Sequence, residues 1–122
     1  MKMKSVVIRT RDIAKSIEFY EKIMGFTFDS MISPSPGKQI AFLVDPQSCG
    51  KLELLYNEAG KANAAGGVSI TFNVDQIGEA EKHLLANGVR IVSSPKTIKG
   101  GKKIMTAVDP NGVELDFIEE KD

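Results

Sequence analysis

Residues 44–56, VDPQSCGKLELLY, and residues 108–118, VDPNGVELDFI, are two versions of one phrase set 64 residues apart (108 − 44). The echo extends upstream. VVIRTRDIAKSIEFYEKIMGF aligns with SITFNVDQIGEAEKHLLANGV, placing Asp12 against Asp75 and Gly25 against Gly88, both at an offset of 63 (75 − 12 and 88 − 25). Self-similarity at one fixed spacing, with single-residue slips where loops fall, means that the chain repeats one supersecondary unit.

Each copy presents the same signals in the same order. In the first, SVVIRT at 5–10 is a β-branched run of strand type, and Asp12 is placed to cap a helix. Ile13, Ile17, Tyr20 and Met24 then recur at helical spacing, and Gly25 is placed to end the helix. FTFDSMI, KQIAFLVD and KLELLY follow as short strands separated by SPSPG at 33–37 and PQSCG at 46–50. In the second copy, 68–74 reads as a strand, Asp75 as the cap and Ile77, Ala80 and Leu84 as one helix face. Gly88 is the stop, and strands are predicted near 89–93, 102–108 and 113–118. The order is β-α-β-β-β twice: module 1 at about 1–57, the small-residue linker EAGKANAAGG at 58–67, and module 2 at about 68–122, within one domain spanning 1–122.

A four-stranded sheet with one helix covers only one of its faces. Two such modules are therefore expected to turn their bare faces inward, giving an α+β fold with a curved, mixed eight-stranded sheet around a cavity. Alternation assigns the faces. Val6 and Ile8 oppose Ser5, Val7 and Arg9; Val68, Ile70, Phe72 and Val74 oppose Ser69, Thr71 and Asn73. In KLELLY, Leu52, Leu54 and Tyr56 oppose Lys51, Glu53 and Leu55; in VELDFI, Val113, Leu115 and Phe117 oppose Glu114, Asp116 and Ile118. Glu53 and Asp116 thus fall on the faces away from the helices.

Sixteen basic and sixteen acidic side chains balance, which argues against a nucleic-acid or membrane partner. The single cysteine, Cys49, rules out an intrachain disulfide and fits a cytoplasmic protein; in its loop it reads as a bystander. His83, the one histidine, falls in the second helix and reads as a helix-surface residue.

The motifs VVIRTRDIAKSIEFYEKIMGF and VDPNGVELDFIEE, with the doubled β-α-β-β-β order, resemble the vicinal oxygen chelate superfamily over essentially the whole chain. That group includes glyoxalase I, bleomycin-resistance proteins, extradiol dioxygenases and methylmalonyl-CoA epimerase. The resemblance implies a small-molecule site, a homodimer and, in metal-dependent members, four ligands. Those ligands correspond here to Ser5, Glu53, Ser69 and Asp116. Arg9 and Asn57 match positions that contact glutathione in glyoxalase I, and KGG at 99–101, including Lys99, resembles a loop of that enzyme.

Serine stands at both first-strand ligand positions, and hydroxyls are poor ligands for Zn²⁺ or Ni²⁺. No cofactor is therefore expected; two carboxylates alone could hold a hard divalent ion only weakly, with waters completing its shell. The expectation is a small-molecule-binding protein, its ligand anionic and met by Arg9, Ser5, Asn57, Ser69, Thr71 and Asn73. The alternative is a glyoxalase- or epimerase-type lyase or isomerase with Glu53 or Asp116 as general base. SPSPG reads as a surface turn, or else as a lid over the cavity.

Overall fold

The computed structural model describes residues 1–60, 63 and 67–120. The chain divides into two compact units, Met1–Asn63 and Ala64–Asp122. Residues 61, 62 and 64–66 of the expected linker lie outside the described residues. Each unit has the β-α-β-β-β order, so the fold is α+β, with two four-stranded mixed sheets.

In the first unit, β1 (Val6–Thr10) leads into α1 (Ile13–Glu18), which continues as one π-helical turn over Phe19–Ile23. Three strands follow: β2 (Thr27–Ser35), β3 (Lys38–Val44) and β4 (Lys51–Asn57). The sheet order is β1-β4-β3-β2, with β1 parallel to β4 and the other pairs antiparallel. Asp12 caps α1 as its sequence position implied, accepting the Lys15 N–H at 3.0 Å. Beside it the buried hydroxyls of Thr10 and Ser16 bond at 2.7 Å and fasten helix to strand. Gly25 takes φ +82°, which lets the chain reverse so that the Phe26 N–H reaches the Tyr20 carbonyl at 2.8 Å. The helix packs on β3 and β4 over a core of Ile8, Phe19, Tyr20, Ala41, Leu43, Leu52 and Leu54.

SPSPG is not a free loop. Ser33–Ser35 belong to β2, and only Pro36 and Gly37 make the turn. The edge position of β2 and the irregular register between Ile32 and Ser35 accommodate Pro34, which lacks an N–H for a ladder.

The second unit runs β5 (Ser69–Asn73), α2 (Ile77–Ala86), β6 (Ile91–Thr97), β7 (Lys103–Val108) and β8 (Glu114–Glu119). Its order, β5-β8-β7-β6, repeats the first. Two expectations are corrected here. Asp75 does not cap α2: Gln76 occupies the cap position without a side-chain bond, and the first helical N–H, of Ile77, is taken at 2.8 Å by Glu119 of β8. Asp75 lies one residue too early, so a carboxylate from the neighbouring strand serves instead. The strand predicted at 89–93 begins at Ile91 because Val89 belongs to the helix end. Its N–H bonds to the Leu84 carbonyl at 3.0 Å and that of Gly88 to Leu85 at 3.1 Å, a Schellman closure with Gly88 at φ +71°.

The repeated VDP phrase has a structural cause. Asp45 accepts the Gln47 N–H at 3.0 Å and the Ser48 hydroxyl at 2.7 Å. Asp109, 5% exposed, accepts the N–H groups of Asn111 and Val113, both at 2.8 Å. Each aspartate closes the turn into the last strand of its unit, and so sets the register that brings Glu53 or Asp116 into place.

Candidate ligand-binding faces

In β4, Leu52 and Leu54 point into the core, so Glu53 between them must emerge on the face away from α1. It is half-buried and sits directly opposite Val7 of β1 and Phe42 of β3. Ser5, two residues before Val7, donates its hydroxyl to Glu53 Oε2. Arg9, two residues after Val7, lies on the same face opposite Leu55. Its backbone is pinned by the Asn63 side chain, which accepts the Arg9 N–H at 2.8 Å and donates to the Arg9 carbonyl at 2.7 Å. β1 is a sheet edge, and this amide satisfies backbone groups that would otherwise be open. Among the described residues neither Arg9 nor Glu53 forms an ion pair.

The second unit repeats the plan with different chemistry. Asp116 emerges between buried Leu115 and Phe117, opposite Thr71 of β5 and Thr106 of β7. Thr106 donates its hydroxyl to Asp116 Oδ1 at 2.7 Å. Ser69, Thr71 and Asn73 alternate along β5 and are exposed; Ser69 pairs in register with Glu114, and Asn73 with Ile118. The cross-strand neighbours of the first carboxylate are therefore apolar, Val7 and Phe42, and those of the second carry hydroxyls, Thr71 and Thr106.

Not every candidate residue joins these faces. Asn57 ends β4 and uses its side chain locally, accepting the Ala59 N–H at 3.0 Å to shape the following turn. Lys99, Gly100 and Gly101 form the turn between β6 and β7, where φ values of +91° and +79° call for glycine at 100 and 101. His83 is exposed in the last turn of α2, and Cys49 is exposed in a loop. Sequence reasoning missed Thr106 and Phe42. The alternation in KIMTAV and KQIAFLV, with Met105, Ala107, Ala41 and Leu43 buried, was the signal that places both beside a carboxylate.

The acids on these faces are Glu53 on the first and Asp116 with exposed Glu114 on the second, beside hydroxyls and no imidazole, and among the described residues no three His, Cys, Asp or Glu side chains gather as a metal cluster. This donor set does not fit a transition-metal centre of the imidazole–carboxylate kind.

Paired β-α-β-β-β units with a carboxylate on the last strand of each define the class: the chain belongs to the Glyoxalase/Bleomycin resistance protein/Dioxygenase superfamily, whose family model matches residues 2–117. Among its relatives is the lactoylglutathione lyase of Escherichia coli O157:H7, 30% identical over 129 aligned positions that cover 100% of this chain and 95% of the relative. A family member from Sphaerobacter thermophilus DSM 20745 superimposes with a TM-score of 0.80 at 24% identity, covering 98% of each chain. Glyoxalase I from Zea mays gives 0.81 at 23% identity, covering 97% of this chain and 44% of that one. At these identities the two structural matches speak for the fold.

Proposed function

We propose that this protein binds a small, anionic organic ligand on the carboxylate-bearing sheet faces without a His-based divalent metal centre. The observation that carries the reading is the hydroxyl partnership of each acid: Ser5 on Glu53 and Thr106 on Asp116, with serine again at 69. Arg9, whose peptide is anchored while its guanidinium has no ion-pair partner among the described residues, supplies a bidentate site for a ligand carboxylate. On the first face Ser5 adds a hydroxyl; on the second, Ser69, Thr71 and Asn73 offer hydroxyl and amide groups. A homodimer and a cytoplasmic location belong to the same reading, and the described residues contain no helix long and apolar enough to cross a membrane.

The test is elemental analysis of protein purified without chelator, alongside thermal-shift screening with glutathione conjugates, acyl-CoA and glycopeptides. The expected result is a substoichiometric metal content and a ligand-induced rise in melting temperature that Arg9→Met abolishes. One equivalent of Ni²⁺, Zn²⁺ or Mn²⁺, lost in Glu53→Gln, would overturn the metal-free reading.

Lyase chemistry is the second reading, favoured by the 30% identity to a lactoylglutathione lyase. Glu53 or Asp116 would then take a proton from carbon next to a carbonyl, the oxyanion being stabilised by Arg9 and Ser5 on the first face or by Ser69 on the second. Lactoylglutathione lyase activity that falls at least about a hundredfold in Glu53→Gln or Asp116→Asn would establish it; absence of turnover in the parent protein would remove it.

A further inference from the structure

Glu53 and Arg9, of opposite charge, stand on the open face of the first sheet, with Lys51 at its end, and among the described residues neither Glu53 nor Arg9 forms an ion pair. Glu53 faces Val7 and Arg9 faces Leu55, so the two charged residues are diagonal neighbours on adjacent strands. A strand spacing of about 4.8 Å and a rise of about 3.3 Å per residue put their Cα atoms roughly 8 Å apart. They form no ion pair; Glu53 Oε2 accepts instead from Ser5, which lies two residues before Val7, whereas Arg9 lies two residues after it.

Between and beside these charges the surface is apolar. Val7 is 45% exposed, and Phe42 lies directly across from Glu53. Leu55 and Ile40 form the next pair along β4 and β3. A ligand with a carboxylate alone would satisfy Arg9 and leave Glu53 without a counter-charge. A ligand carrying both charges satisfies both. The second unit lacks the set: at the matching register positions it has Asn73 for Arg9, Thr71 for Val7 and Thr106 for Phe42.

We propose that the β1–β4–β3 face of the first unit binds a zwitterion of the amino-acid class bearing an apolar side group. Its carboxylate pairs with Arg9, its ammonium group with Glu53, and its apolar group covers Val7 and Phe42. The Phe42 ring adds a cation–π contact to the ammonium. Glu53 acts here as a counter-ion, neither a metal ligand nor a base. The proposal rests on the small-molecule-binding reading above and names the class of ligand for that site.

Calorimetric titration of the full chain with three probes tests it: L-phenylalanine, phenylalaninamide, which lacks the carboxylate charge, and N-acetylphenylalanine, which lacks the ammonium. Phenylalanine is expected to bind at least about tenfold tighter than either analogue. Glu53→Gln should erase its advantage over the N-acetyl form, and Arg9→Met its advantage over the amide. Arg9 is exposed, so its replacement reads out the proposal even where a change at Glu53 disturbs folding. Equal binding of phenylalanine and either analogue overturns the zwitterion assignment. So does failure of all three probes at millimolar concentration while a glutathione conjugate or acyl-CoA still binds, an outcome that leaves the small-molecule reading standing. A chain that binds no ligand in either panel overturns both.

Discussion

Cys49 occupies the turn position at which the second copy of the VDP phrase places Gly112, and the two share a left-handed backbone, φ +64° and +82°. The N–H groups of both return to the carbonyl of the VDP aspartate, Asp45 at 2.7 Å and Asp109 at 3.2 Å. An L-residue costs about 1–2 kcal/mol in this conformation, and glycine costs about 0.5–1 kcal/mol in chain entropy. Cys49→Gly should therefore stabilise the protein by about 0.5–1 kcal/mol in urea unfolding; a loss of stability would refute the equivalence of the turns. At Asp116 the single described donor is the Thr106 hydroxyl. Thr106→Val keeps the shape and removes that donor, so it should cost about 1 kcal/mol, while Thr106→Ser restores most of the loss. An equal cost for both would mean that packing of the methyl group matters and the hydroxyl does not.

Elements follow the same logic at greater separation. The strands and both helices were legible because their patterns are local: alternation around Leu52 and Leu54, helical spacing from Ile13 to Tyr20, and glycines at both helix ends. The start of α2 was not legible, because the carboxylate that serves it comes from Glu119, 42 residues away. A sequence window sees Asp75 and assigns the cap there, whereas the sheet register delivers β8 beside Ile77. Substitution should separate the two. Glu119→Ala leaves a buried N–H without its partner and should cost about 1–3 kcal/mol. Asp75→Ala, at an exposed position with no cap bond, should stay within about 0.5 kcal/mol of the parent. Reversal of that order in urea midpoints would return the cap to Asp75. The π-helical turn at Phe19–Ile23 left no readable signal either; the run FYEKI suits an ordinary helix equally well.

At the scale of the whole chain, duplication makes the two carboxylates equivalent by register, and this much of the candidate site could be read from the repeated phrase. Their different surroundings could not, since Val7 and Phe42, or Thr71 and Thr106, come together only through strand pairing. The missing imidazoles were plain from composition, and they bear on stability as well as on chemistry. A metal bound at a hundred times its dissociation constant contributes about 2.7 kcal/mol to folding, and a domain of this size gains very roughly 4 °C in melting temperature per kcal/mol. Stripping such a metal would lower the melting temperature by about 10 °C. A chain that folds on its apolar cores alone should not respond. Extensive dialysis against EDTA is therefore expected to leave the melting temperature unchanged within about 1 °C, and added Zn²⁺, Ni²⁺ or Mn²⁺ to raise it by no more than that. A chelator-induced fall reversed by one of these ions, and absent in Glu53→Gln, would restore a metal to this fold despite its serine positions.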